Sequence, residues 1–451
     1  MKKRLLLILI FSFVIIGCNV EEIPVDKGKI FEKEIINFEE CVEAGNPIME
    51  SYPRQCRTAY GRNFVEQIGM PFEETWQDSE NADEPQPDAE TQEIRKRGLL
   101  SPQECIVQGP EKLGASPLAL DDLLKIAPMG AMSTSHITPT DHQYWHTVGY
   151  FGSQDDTENL DRFNVFAPAD GFIINVEKGV DHRVVIEHSC SLYTIFIHVD
   201  RLSERIKSHL NFKEDSSYEY AWPKIPVEEG ETIGTIGVGK LDFSVVDAGV
   251  ILEGFISPEL YEGEPWKIHT VDTFDYYDEP LRSQLLAKNL RKSEPLGGKI
   301  DYDVDGKLIG NWFVENTRGY RGLESQNYWS THLSIAYDAL DTKQVVVSIG
   351  DFYEGRGDQF GVKGNLPNPK DVSVETGAVK YELVPYDHYS GGKKWDGIDY
   401  ADNIEARNSG EVRGVALFEL MDERRLKAEF FPNKEGSQVS GFTGNALFYE
   451  R

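Results

Sequence analysis

Short runs of β-branched and aromatic residues, each closed by Gly, Pro, Asn or Asp, recur along two long stretches of this chain. Between residues 99 and 275 they include "FNVFAPADGFIINVEKG", "HRVVIEHS", "SLYTIFIHV" and "ETIGTIG". Between 299 and 451 they include "KQVVVSIGDFY", "AVKYELVPY", "RGVALFELM" and "RLKAEFFP". Such residues suit a pleated surface, and turn residues interrupt it at short intervals, so both stretches read as all-β. Helix is expected near Leu118 to Ala127, near Leu202 to Leu210, and in "EPLRSQLLAKNLRK" at 279–292, where Pro280 stands early. The last of these reads as a link between two domains. No repeat of fixed period is visible.

The chain has 451 residues, enough for about three domains at ~150 residues each. A net charge of −30 argues against nucleic acid as a partner, because a phosphate backbone needs a basic face. The N-terminus is more specific. Lys2, Lys3 and Arg4 precede an apolar run from Leu5 to Ile16. That run is shorter than the ~20 residues of a membrane span and reads as a secretory signal. It ends in Ile15-Ile16-Gly17-Cys18, which resembles a lipobox. The resemblance implies a lipidated Cys18 after a signal of residues 1–18, hence an extracytoplasmic protein anchored to a membrane face. Acyl chains contribute ~0.8 kcal/mol per buried CH₂ to such an anchor.

Residues 19–36 read as a tether and 37–70 as a small disulfide module, with turns at Gly45-Asn46-Pro47 and Tyr52-Pro53. So small a unit needs a covalent staple. Cys41, Cys56, Cys105 and Cys190 allow three pairings in an exported chain; Cys41–Cys56 with Cys105–Cys190 is the one expected. Residues 71–98 are acidic and poor in apolar residues, and read as a disordered linker. A β domain at 99–278, a linking helix at 279–298 and a C-terminal β barrel or sandwich at 299–451 complete the reading.

Four stretches of the middle domain carry a resemblance. They are Val165-Phe166-Ala167-Pro168-Ala169-Asp170-Gly171, "HRVVIEHSCSLYTIFIHVDRLS", Val227 to Gly234, and "GKLDFSVVD". In their order and spacing, from His136 to Val246, the domain resembles the lysostaphin-like zinc metallopeptidases, peptidoglycan endopeptidases with a duplicated hybrid β fold. That family holds zinc with a His and an Asp separated by three residues and the second His of a His-x-His pair. A metal site of this kind leaves one position open for water. The resemblance assigns His198 to the family's Tyr-x-His-Leu histidine, with Phe196 and Val199 in place of Tyr and Leu. Lys240 falls where the first His of His-x-His belongs, and Asp242 where the zinc-binding second His belongs. Upstream, "SHITPTDHQYW" offers His136 with Asp141 or His142, but four residues rather than three separate His136 from Asp141.

Positions 240 and 242 share one face of a strand, so the family's placement is kept while its chemistry is altered. The candidate metal ligands are His136, Asp141, His142 and Asp242, with zinc as the possible cofactor. His198 and Lys240 are the candidate catalytic positions. A protonated lysine beside zinc repels it, or pairs with Asp242 and replaces its charge. The expectation is therefore a degenerate peptidase-like domain that binds or regulates cell-wall or envelope components. An active zinc endopeptidase is the alternative. The insertion "WHTVGYFGSQDDTENLDRFNV" is expected to line or cover the groove. His188 reads as structural, and His146 and His182 as exposed.

In the last domain, Asp301, Asp303, Asp305 and Gly306 match the start of an EF-hand loop, but Trp312 stands where the bidentate Glu belongs. An Asp-Gly turn is the favoured reading. Gly310-Asn311-Trp312 resembles the Gly-x-Trp of lipocalins, and a barrel or sandwich there could bind a lipid or glycan.

Overall fold

Most of the β-rich runs form the strands that their residue types favour. The computed structural model describes residues 38–44, 48–49, 55–57, 63–65, 109–133, 135–149, 162–213, 218–237, 239–323, 327–353 and 356–451. The signal segment with Cys18, the tether, the acidic linker, Cys105 and residues 150–161 of the insertion lie outside them. Among the described residues no helix is long and apolar enough to cross a membrane.

A short helix, α1 (Phe38–Glu43), precedes a three-stranded sheet of β1 (Ile48–Met49), β2 (Gln55–Arg57) and β3 (Asn63–Val65). Cys41 on the helix is bonded to Cys56 on β2, and both are fully buried. Cys190 is also disulfide-bonded; its expected partner, Cys105, is not among the described residues.

The middle region carries β4 (Leu123–Ala127), β5 (Gln143–Thr147), β6 (Phe163–Phe166), β7 (Gly171–Lys178), β8 (His182–Glu187) and β9 (Leu192–Val199). It continues with β10 (Arg201–Leu202), α2 (Glu204–Lys207), β11 (Glu219–Ala221), β12 (Ile225–Val227), β13 (Thr232–Ile236) and β14 (Lys240–Asp247). A large sheet runs β11-β7-β8-β9-β14-β5-β4, with β12 also on β7, and a small one runs β10-β13-β6. Side chains alternate across a sheet. One face of the large sheet sends Trp145, Val184, Ile186, Phe196, Leu241 and Phe243 into a core shared with Val165 and Ile233 of the small sheet. The rings of Phe196 and Trp145 each contact that of Phe243, with centroids 5.1 and 5.4 Å away. The other face of the large sheet carries the candidate site.

Two helix expectations are corrected. Within 118–127 the chain forms strand β4, because Ile126 and Ala127 pair with Trp145 and Tyr144 of β5; tertiary pairing overrides a helical propensity that is only a weak prior. At 279–292 only α3 (Leu281–Leu286) is helical. Its continuation is captured by the edge of the large sheet, where Leu290 N–H donates to Ile126 O and Ile126 N–H to Lys288 O. The histidine expectations are mixed. His188 is buried, with Nδ1 at Asp170 O and Nε2 at Thr194 Oγ1. His146 and His182 are half-buried rather than exposed, flanked by cross-strand neighbours on β4 and β14 and on β7 and β9 respectively.

The C-terminal region is a closed eight-stranded barrel, not a sandwich. Its order is β15 (Gly310–Val314), β16 (His332–Tyr337), β17 (Val345–Ile349), β18 (Asp358–Val362) and β19 (Val379–Val384), then β23 (Gly414–Leu420), β24 (Arg425–Pro432) and β25 (Leu447–Glu450), which returns to β15. Trp312, Phe360, Tyr381, Phe418 and their neighbours fill its core. Arg451 lies over Trp312, 3.9 Å from the ring centroid, and donates to the carbonyls of Val304, Lys307 and Ile309. A Cβ on Gly310 would meet Asp303 Oδ1 at 2.2 Å and Arg451 Nη1 at 2.7 Å, and its φ is +129°. Only glycine fits there. The three aspartates before this strand diverge. Asp301 pairs with Lys299, Asp303 accepts from Asn311 N–H, and Asp305 pairs with Arg424, around a turn at Gly306.

A three-stranded flap of β20 (Tyr386–Ser390), β21 (Lys393–Lys394) and β22 (Glu405–Asn408) is tied to the β16–β17 turn. His388 Nε2 lies 3.0 Å from Asp338 Oδ1, and Ala406 N–H donates to Asp341. Burial alone would lower the His388 pKa, but Asp338, Asp341 and Asp387 raise it above its ordinary 6.5. The charged tie is therefore complete below pH 6.5 and is lost as pH rises through the raised value. Hydrogen exchange across 386–408, corrected for its intrinsic pH dependence, is expected to quicken about fivefold over that window, as loss of ~1 kcal/mol implies. Asp338→Asn should exchange fast throughout; a wild-type profile with no such step would rule the tie out.

Candidate functional site

Register brings the site together. Opposite residues of paired strands share a face. Glu177 lies opposite Arg183, and Asp242 lies opposite both Ile197 and Tyr144. This row crosses the face of the large sheet that points away from the Trp145 core. The segment before β5 lies against it. Gly130 N–H donates to Thr140 O, Thr140 N–H to Ala131 O, and Ser244 Oγ to Asp141 O. With Ile137, Thr138 and Thr140 buried, "SHITPTDHQYW" is an inward-packed segment that aims Asp141 and His142 at β14.

The expected residues converge. His142 Nδ1 is 3.2 Å from Asp141 Oδ1, and its Nε2 is 3.3 Å from Asp242 Oδ2. His198 Nε2 is 3.4 Å from the same Asp242 oxygen, and its Nδ1 is 2.6 Å from Asp181 Oδ2. Carboxylates and imidazoles thus alternate in one chain: Asp141, His142, Asp242, His198, Asp181. The His136 ring meets that of His142 edge-on, with centroids 5.5 Å apart. Lys240 Nζ is 3.8 Å from Asp242 Oδ1.

Alternation along β9 would send His198 to the face opposite Ile197. Its φ of +71° breaks that alternation, next to a register shift between β8 and β9, and so delivers the ring to Asp242. A non-glycine residue in this region costs roughly 1–2 kcal/mol.

The electrostatics follow from burial against partners. Burial alone would raise the Asp242 carboxyl, but His142, His198 and Lys240 outweigh it and hold the group at about 2. Asp141 is also held below the usual carboxylate range against burial, by Lys267, His142 and the Trp266 indole. That indole donates to Asp141 Oδ2 at 2.9 Å. Burial, with His142 and Lys267, lowers His136 to about 3. Glu264 moves the other way, raised to about 7 by burial and then by Asp141.

Of the residues around this cavity, only His136, Asp141, His142, His198 and Asp242 carry a signal in the sequence. Asp181, Glu177 and Arg183 come from β7, β8 and the turn between them. Glu264, Trp266 and Lys267 come from the segment after β14, and Tyr320 and Tyr328 from the barrel's first loop. Together with the expected residues, except Lys240, they enclose about 120 Å³. The cover expected from residues 150–161 lies outside the described residues; among those described, 264–267, Tyr320 and Tyr328 form the roof. A larger groove of about 790 Å³ lies elsewhere. Three of its five carboxylates have internal donors: Asp247 has Tyr276, Asp272 has Gly297 N–H, and Asp301 has Lys299.

A catalytic zinc ion needs three donors around one point and a fourth, open position. Among the described residues no three His, Cys, Asp or Glu groups are set as such a cluster. Instead, Asp242 Oδ2 is shared by two imidazoles and Lys240 approaches its other oxygen. An ammonium beside that carboxylate opposes a divalent ion there. No protein-family model matches this chain, and no curated protein matches it.

Two outcomes follow. At position 198, Gly should be more stable than Ala by about 1 kcal/mol in urea denaturation, the reverse of the usual order in a strand; the usual order would show that the φ is not strained. The raised Glu264 pKa makes stability fall as pH rises from 4.5 to about 7. Glu264→Gln should remove that fall, gaining on wild type by roughly 1–3 kcal/mol across the window, as read from unfolding midpoints at stepped pH.

Proposed function

We propose that this chain is a lipoprotein anchored through Cys18 at the cell envelope. Its residues 99–278 form a degenerate peptidase-like domain that binds cell-wall components, or regulates their turnover, without hydrolysing them. The observation that carries the reading is Lys240, 3.8 Å from Asp242, at the position where a lysostaphin-like metallopeptidase keeps its His-x-His pair. Hydrolysis at such a site needs a metal-activated water and a neutral base beside it. Here an ammonium stands in the base's place, and imidazoles and carboxylates face one another. The roof of Trp266, Tyr320 and Tyr328 over a cavity of about 120 Å³ also leaves little room for an extended peptide.

One observation favours the second reading, a zinc endopeptidase acting on envelope peptides. His142 Nε2 is buried without a hydrogen bond, 3.3 Å from Asp242 Oδ2, close to the separation of two ligands bound ~2.0–2.1 Å from one zinc. Purified peptidoglycan sacculi separate the two. The protein without its signal should sediment with sacculi and release no soluble fragments, with or without added zinc. Release of fragments that His136→Ala abolishes would establish the peptidase instead.

A further inference from the structure

Asp141 and Asp242 bury two carboxylates on either side of the His142 ring, and a lysine stands near each. Lys240, on β14, places Nζ 3.8 Å from Asp242 Oδ1 and 4.1 Å from the Tyr144 ring centroid. Lys267, in the roof, is only 2% exposed. Its Nζ is 3.5 Å from Glu264 Oε2 and 5.2 Å from the Tyr320 ring centroid. Each ammonium is therefore held by an aromatic face as well as by a carboxylate. After burial itself, Lys267 is the strongest influence on the Asp141 carboxyl.

We infer that Lys240 and Lys267 are tethered cations standing in for a bound metal ion. They supply the positive charge that the carboxylate cluster requires, and so exclude a divalent cation from it. The inference rests on the non-hydrolytic reading above. Its physical basis is the burial of Asp141 and Asp242, which strengthens repulsion between a divalent ion and nearby ammonium groups as well as attraction to the carboxylates. Carboxylates whose charge is already answered offer a metal little, and the Nε2 atoms of His142 and His198 both face Asp242.

Zinc titration of the full chain against a chromophoric chelator tests this. Wild type should take up no stoichiometric zinc at micromolar concentration. Lys240→Met should tighten zinc binding at least tenfold, while Lys240→Arg, which keeps the charge, should not. Lys267→Met alone would leave Glu264 buried beside no cation and could fail to fold. The pair Lys267→Met with Glu264→Gln removes both charges together and should also tighten zinc at least tenfold. One zinc per wild-type chain would overturn the inference, as would folded neutral variants that bind zinc no better than wild type. If wild type binds zinc but leaves sacculi intact, only this inference falls. If it cleaves them, the non-hydrolytic reading falls as well.

Discussion

Asp242 is the constraint around which this part of the molecule is arranged. It lies within β14, which is hydrogen-bonded to β9 on one side and β5 on the other, and it is 4% exposed. Taking a carboxylate out of water costs several kcal/mol even after relaxation. The strand cannot move it to the surface without turning every neighbour to the wrong face. Partners must therefore come to it. His142 arrives from the segment before β5, His198 from a strand end bent into left-handed backbone, and Lys240 from two residues earlier on the same face.

The roof extends this arrangement to the barrel. Trp266 donates to Asp141, and Tyr320 and Tyr328 belong to the barrel's first loop. They are continuous with an aromatic cluster in which Met129, Ile137, Phe255 and Ile268 of the middle region pack with Phe313, Tyr320, Tyr328 and Trp329 of the barrel. Arg291 ties the connecting segment in as well, donating to Ser293, Pro295 and Ala339 carbonyls while 1% exposed. The two β regions thus share a site and a core. Any ligand entering the cavity meets residues from both, and a change in how the barrel packs changes the polar cluster beneath it.

The strands were legible because β-branched runs and turn residues are local signals. Barrel closure was less so: whether eight strands close or stack as two sheets depends on the β15–β25 pairing, which joins chain segments far apart in sequence. The helix expected at 118–127 failed for the same reason, since a nearby strand offered its backbone a better set of partners. In the site, His136, Asp141, His142, His198, Lys240 and Asp242 could be found because their types and order resemble a known arrangement. Asp181, Glu264, Lys267, Tyr320 and Tyr328 sit in no such pattern. Asp181 follows a glycine and a valine in an ordinary strand turn, and nothing near Glu264 and Lys267 marks them as buried. Their roles arise only when the roof closes.

Lysine and aspartate at 240 and 242 offer a chemistry different from that of a histidine pair. A neutral imidazole both donates and accepts, and can pass a proton; an ammonium only donates and a carboxylate only accepts. Asp242, with Lys240, His142 and His198 around it, therefore favours internal pairing. The alternation of Asp141, His142, Asp242, His198 and Asp181 is the outcome of that preference, each imidazole having a carboxylate at either nitrogen. The strained backbone at His198 sharpens the point. Strain persists where surrounding structure over-determines it, and here both ring nitrogens are held by carboxylates from separate elements. What the cluster fixes is the position of the ring, between Asp181 and Asp242. A histidine kept in costly backbone between two carboxylates is held there by its surroundings, so its position is a property of the whole cluster.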